Sequence, residues 1–397
     1  MAWNIARLAT QLAWVILMAR TLGVEGYGTF SGVAGLALAI SGLAGAGLGL
    51  RLYQDVARTP ELLGIRWAQA VRALAWSGAL LCLGFMLLGS MVYPGLSVEV
   101  LACIAAAELV GTPMVVHVAF AYAAHGRMAQ AAAAPVVLSC GRVLAVLALP
   151  LVASDGGMRA YALLHVLATL LGAGLVWRRC RRQLSPPAAE AMLDRGALGE
   201  GVRLSAIWAS GLALGAVDKA VALREGGGEL AGQYTAANRF ASLLTLPVDA
   251  LVTAVMPRLF RAGAGQPSHP WLLGGLLAAA LLYGLVAGGM LWSGAGLLPG
   301  VVGADFGPAV PALRVLALYV PAYCLRILGA NILLGYGWIR WRLASELLVL
   351  ATMVVLMAWW IPRRGAEGAA WALVIAEGLL ALLLWVRVFV GWPRAKA

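Results

Sequence analysis

The chain has 397 residues, 62% hydrophobic and 12% charged, with a formal net charge of +12 and a mean hydropathy of +0.88. A soluble globular protein carries roughly 45–50% apolar and about 25% charged residues, so this composition excludes a soluble fold and implies a polytopic membrane protein. The positive charge is not gathered into a basic domain, which excludes nucleic-acid binding, and the five scattered cysteines show neither metal-ligand spacing nor a disulfide framework.

The opening "MAWNIARLATQLAWVILMARTLG" lacks a small-x-small cleavage site, and its apolar run ends at Arg20. It reads as a first membrane span, not as a cleaved signal. Crossing about 30 Å of hydrocarbon takes around 20 residues. Windows of that kind fall near 5–22, 29–50, 70–92, 98–121, 131–153, 159–177, 202–222, 231–256, 271–292, 308–333, 343–361 and 368–390. They are predicted helices, because a lipid-exposed backbone must satisfy its own hydrogen bonds and no strand alternation suggests a barrel.

Orientation follows from the placement of Lys and Arg. One set of connections, with the C-terminus, holds eighteen of them, including Arg51, Arg127, Arg178, Arg179, Arg181, Arg182, Arg195, Arg258 and Arg261; the opposite set holds five, Arg20, Arg159, Arg224, Arg363 and Arg364. Both termini are therefore expected in the cytoplasm. The outer connections are short, as in "VEGYG", "SDGGM" and "REGGGEL". The longest connection, 178–201, carries Pro186 and Pro187 and divides an N-terminal six-helix bundle (1–177) from a C-terminal one (202–397). Its arginine run suits an anchor at the headgroups.

The two groups echo each other. "RTLGVEGYGTFSGVAGL" at 20–36 aligns with "REGGGELAGQYTAANRF" at 224–240, and "GGMRAYALLHVLATLL" at 156–171 with "AEGAAWALVIAEGLL" at 366–380. Six spans per half make the repeats parallel, an arrangement that in transporters puts the cargo path between the halves.

"LMARTLGVEGYGTF" (17–30) resembles the end of the first helix of the polysaccharide flippases. "AVDKAVAL", with the following "GQYTAANRFASLLTLPVDALVTAVMPRLFR", resembles their seventh and eighth helices through Asp218, Tyr234, Ala237, Arg239, Pro247 and Pro257. "FGPAVPALRVLALYVP" and "IPRRGAEGAAWALVIAEGLL" are similar to their tenth and twelfth. Lys219 departs from the pattern, standing where an apolar residue is usual, and the two extra C-terminal spans of the lipid II flippases are missing. The resemblance is to the Wzx-type O-antigen or repeat-unit flippases of the multidrug/oligosaccharidyl-lipid/polysaccharide exporter superfamily. It implies an all-α membrane protein of twelve helices in two parallel six-helix repeats, with a MATE-like transporter fold. It also implies an undecaprenyl-diphosphate-linked oligosaccharide as cargo, moved by alternating access for O-antigen, capsule or exopolysaccharide synthesis. A polysaccharide polymerase and a chain-length regulator are the implied partners, beside membrane lipids.

A flippase breaks no bond, so no catalytic residue, cofactor or metal is expected, and no Walker A sequence is present for ATP. A diphosphate leaving water needs replacement donors, and guanidinium forks match its oxygens. Arg142, Arg314 and Arg326 lie deep in spans with no partner legible in sequence, so each is either a cargo contact or half of an internal ion pair. Asn4, Arg7 and Gln11 form one polar stripe on the first helix, suited to an inner vestibule or to interface anchoring. Glu108, Asp249 and Glu377 are candidates for ion coupling, and His117 and His165 read as polar groups satisfied between helices.

Asp218 and Arg239 lie roughly 9 Å and 13 Å below the outer turn at 1.5 Å per residue. They suit a structural lock or a direct part in cargo or ion coupling. Lys219 is expected to snorkel outward, and Gly211 and Gly215 offer a close-packing face beside Asp218. "GLAGAGLGL" at 42–50 reads as small residues for helix packing. Two rival functions are a drug or metabolite antiporter of the same superfamily and a membrane polymerase or ligase. The first calls for a carboxylate deep in the first span, the second for large external loops; the sequence has neither.

Overall fold

The computed structural model describes residues 2–153, 157–187, 195–249, 251–252 and 270–391. Pro257, Arg258, Arg261, Arg394, Lys396 and the middle of the 178–201 connection lie outside the described residues. All regular structure among those described is helical. Large apolar side chains such as Trp76, Met91, Leu151 and Val390 are more than three-quarters exposed, as a lipid-facing surface requires.

The helices are α1 (Ala2–Ser41), α2 (Leu48–Arg58), α3 (Leu63–Val92), α4 (Val98–Ala105), α5 (Thr112–Ala124), α6 (Met128–Val152), α7 (Met158–Leu184), α8 (Arg195–Leu214) and α9 (Val217–Leu243). They continue with α10 (Pro270–Gly294), α11 (Leu298–Val302), α12 (Val310–Leu316), α13 (Tyr319–Gly335) and α14 (Ile339–Gly391). Among the described residues, seven helical stretches are long and apolar enough to cross a membrane, or nine when two bent pairs each count as one span.

Three of the long helices are broken inside. Gly23, Gly227 and Gly365 have φ of 70°, 75° and 58°. That left-handed conformation costs a side chain energy and costs glycine little. The breaks fall where the sequence places its outer turns 23–28, 223–230 and 362–367. Two residues beyond each stands an exposed glutamate: Glu25, Glu229 and Glu367. A carboxylate at the first turn of a helix faces the positive end of its dipole.

The chain divides into two compact units, Met1–Ala220 and Val221–Ala397. The boundary lies inside α9, whereas the sequence suggests the 178–201 connection. The reason is packing: α8 lies against α1 and the glycine-rich turn Ala44–Gly47 of the first unit. Close approach is made by Gly42, where a Cβ would stand 2.5 Å from the Ala209 Cα. At Gly211, the expected packing glycine, a Cβ would meet nothing within 4 Å. Within the first unit, Leu52, Val56, Trp67, Val118 and Cys180 form an apolar core where α2, α3, α5 and α7 meet. The rings of Trp67 and Trp177 are 4.4 Å apart there.

Candidate functional site

Among the described residues, each unit buries a carboxylate–arginine centre, and the second adds a further pair, Glu346 with Arg342 at 2.8 Å. In the first unit the centre begins with a fault in the helix that follows α4. Residues Ala106–Gly111 wind as a π-helical turn, one residue too many for a regular α-helix, and such turns recur at functional positions. The turn carries Glu108, which is 6% exposed. An isolated carboxylate there would be costly, so it must be paired and hydrogen-bonded.

Three donors meet it. Arg142 Nη2 on α6 donates to Glu108 Oε1 at 2.7 Å and also to Thr112 Oγ1 at 2.8 Å. The Thr112 hydroxyl donates to Glu108 Oε2 at 3.0 Å. His165 on α7 brings Nε2 to 3.1 Å from Oε1, and because a carboxylate only accepts, that nitrogen is the protonated one. The other ring nitrogen, Nδ1, is buried without a hydrogen bond. Aromatic rings close the site: the Arg142 guanidinium lies 5.7 Å above the Trp14 ring, which stacks on His165 and donates from Nε1 to Tyr161 Oη at 2.8 Å.

The second unit builds a string of four side chains. Tyr323 on α13 donates its hydroxyl to Asp249 Oδ1 at 3.0 Å. One helical turn on, Arg326 lies over the Tyr323 ring at 4.5 Å and forms an ion pair with Glu377 of α14. Both side chains of that pair are largely buried. Thus two of the three arginines without a legible partner, Arg142 and Arg326, are ion-paired inside their own units. Arg314 is exposed, 5.7 Å over the Trp292 ring, and makes no ion pair among the described residues.

The remaining candidates are dispersed. Arg7 and Gln11 are exposed on α1; the side chain of Asn4 lies outside the described ones. Asp218 is buried, and Lys219 folds back onto it, Nζ reaching Oδ1 at 2.9 Å, Oδ2 at 3.0 Å and the Gly215 carbonyl at 3.0 Å. The expected outward snorkel of Lys219 is therefore not what the chain does. A lysine beside a buried carboxylate gains more from pairing than from reaching for water. Arg239 belongs to the second unit and is exposed. His117 donates from Nδ1 to the Pro113 carbonyl at 2.7 Å, and its Nε2 edge fills the space where Gly45 and Gly49 would carry a Cβ.

Sequence reasoning missed Trp14, Thr112, Tyr161 and Tyr323. The available signal was weak: Thr112 stands four residues after Glu108 and Tyr323 three before Arg326, spacings that share a helix face.

A sequence profile described as polysaccharide biosynthesis protein matches residues 3–262. No curated protein sequence matches. Among solved structures, the chain is similar to an inward-facing multidrug-resistance MATE-family transporter of the MOP superfamily, at 17% identity and a TM-score of 0.77, covering 99% of both chains. It is also similar to the lipid II flippase MurJ in an inward closed conformation, at 12% identity and a TM-score of 0.73, covering 98% of this chain and 87% of that one. A third similarity is to a MATE protein in complex with MaL6, at 14% identity and a TM-score of 0.62, covering 98% and 96%. These likenesses establish the MATE and MurJ transporter fold.

Proposed function

This chain belongs to the polysaccharide biosynthesis protein family, and from that premise we propose that it flips a lipid-linked oligosaccharide across the bacterial inner membrane. The cargo of this reading is an undecaprenyl-diphosphate oligosaccharide. It moves from the cytoplasmic to the outer leaflet by alternating access, to feed O-antigen, capsule or exopolysaccharide assembly. A polymerase and a chain-length regulator act on it next. The protein spans the bilayer twelve times with both termini in the cytoplasm. The family match carries this reading, and the MurJ-like fold supports it, since that neighbour handles a lipid-borne cargo.

The buried centres support a division of labour. A diphosphate is anionic throughout the physiological range and leaves water only where guanidinium donors replace its hydration. Arg314, exposed and without an ion pair among the described residues, is a cargo contact of the second unit, and Arg7 and Gln11, exposed on α1, are contacts of the first. Arg142 and Arg326 are held by Glu108 and Glu377 until the cargo competes for them. A carboxylate released in that exchange is left uncompensated, and it takes up a cation. This makes Glu108 and Glu377 the coupling groups, with Asp249 joined to the second through Tyr323 and Arg326.

The experiment is a set of Arg142→Gln, Arg314→Gln and Arg326→Gln variants in reconstituted vesicles, scored for flipping of a lipid diphosphate. Glu108→Gln/Arg142→Gln serves as a control that leaves no unpaired buried charge. Each arginine variant should flip more slowly while inserting normally. Full activity in all three would place the cargo elsewhere or make it non-anionic.

A further inference from the structure

The first unit carries a groove of about 790 Å³ between α6 and α7 that none of the polar centres uses. Its floor is low because the two helices touch through small residues: a Cβ at Gly141 would lie 3.3 Å from the Ala168 carbonyl. Its walls are leucines that stand out from the protein, Leu144 at 65%, Leu167 at 56% and Leu171 at 60% exposed. Lining residues run from Ala129 to Ala148 on α6, about 28 Å at 1.5 Å per residue. The lining is apolar over most of this length, and its polar side chains gather at one end, with Tyr122, Gln130 and Arg179. That is the end which the charge asymmetry turns to the cytoplasm. Arg179 is exposed there and makes no ion pair among the described residues.

We infer that this groove seats the prenyl chain of a polyprenyl diphosphate, with Arg179 at the phosphate end. The inference rests on the flippase reading and supplies what that reading lacks, a seat for the lipid half of the cargo. Length decides between occupants. The hydrocarbon core is about 30 Å thick, so one phospholipid acyl chain fills about half of it. The groove runs nearly the whole depth, which suits one chain longer than a leaflet. The charge also fits: a single cation at one end of an apolar channel matches a molecule with an anionic head and an apolar tail. Such a chain can stay in one seat while its head crosses from one side to the other.

The test uses the full-length protein in nanodiscs with undecaprenyl diphosphate carrying a photoreactive group in its chain. Labelling should fall on α6 and α7 peptides, and unlabelled undecaprenyl diphosphate should displace it while phosphatidylglycerol does not. Ala148→Trp, which obstructs only the outer half of the groove, should weaken labelling. In vesicles it should slow flipping of an undecaprenyl-linked diphosphate about tenfold, roughly what two buried methylenes are worth. A farnesyl-linked diphosphate, short enough for one leaflet, should be flipped as before. Arg179→Gln should weaken labelling as well. Displacement by phosphatidylglycerol as effective as by the prenyl lipid overturns the inference, as does labelling outside α6 and α7. Equal slowing of both chain lengths by Ala148→Trp also refutes it. A wild-type protein that labels specifically but flips neither lipid would keep the groove and refute the flippase reading.

Discussion

Glu108→Gln is the most informative single change in the first unit. It keeps the side chain's size and its contact with Thr112 while removing the charge that Arg142 Nη2 meets at 2.7 Å. Arg142 is then left with at most one neutral amide oxygen beside a hydroxyl, an aromatic face and a buried Nε that has no hydrogen bond. Breaking a buried pair on one side costs about 3–5 kcal/mol, whereas replacing both sides is often close to neutral. Weakening of the interhelical bond from His165 adds less, since hydrogen bonds between membrane helices average about 0.6 kcal/mol. Glu108→Gln and Arg142→Gln should therefore each cost about 3–5 kcal/mol, and the double variant should recover at least about 2 kcal/mol of their sum. Reversible unfolding of the purified protein in mixed micelles, followed by tryptophan fluorescence, measures all three. Strictly additive losses, or single losses below about 1 kcal/mol, would show that the pair is not the buried, mutually dependent unit described above.

In the second unit, Tyr323→Phe removes the donor to Asp249 but keeps the ring beneath Arg326; it should cost about 1.5–3 kcal/mol in the same unfolding assay, the worth of a hydrogen bond to a charged group. Lys219→Met should destabilise the protein, and adding Asp218→Asn should restore much of the loss; rescue instead by exchanging the charges of Asp218 and Arg239 would favour the longer-range lock. Gly42→Leu should disrupt the α1–α8 contact, because its Cβ alone would stand 2.5 Å from the Ala209 Cα, and size-exclusion chromatography should show loss of folded protein. Reporter fusions at Arg195 and Gly227 should lie on opposite sides of the membrane, and the same side for both would contradict the twelve-span topology.

What could be read from the sequence was whatever one helix determines by itself. Hydrophobic runs, the positive-inside bias and the Gly-rich turns are local signals, and the breaks at Gly23, Gly227 and Gly365 fall between the expected spans. The deep charged residues were also legible, because a charge in an apolar run is conspicuous. Their partners were not. Arg142 meets Glu108 across 34 residues and Arg326 meets Glu377 across 51, so each pairing depends on which helices become neighbours. The π-helical turn that carries Glu108 has no sequence signature that periodicity detects. The same limit hid the packing glycines: Gly211 and Gly215 have the familiar spacing, yet Gly35, Gly42, Gly47 and Gly201 are among those pressed against a neighbour. The stem of Lys219 is flexible enough either to snorkel outward or to fold back, and the choice is made by the buried Asp218 carboxylate and the Gly215 carbonyl within its reach.

The most direct test of the central claim follows the cargo itself. The full chain is reconstituted into vesicles with a fluorescent undecaprenyl-diphosphate sugar, and an impermeant quencher reports how much of it changes leaflet with time. A control lipid bears the same sugar and prenyl chain without the diphosphate. The account predicts rapid, protein-dependent movement of the diphosphate and little of the control, with the rate falling in Arg314→Gln. Movement no faster than in protein-free vesicles, or equal movement of both lipids, would contradict it.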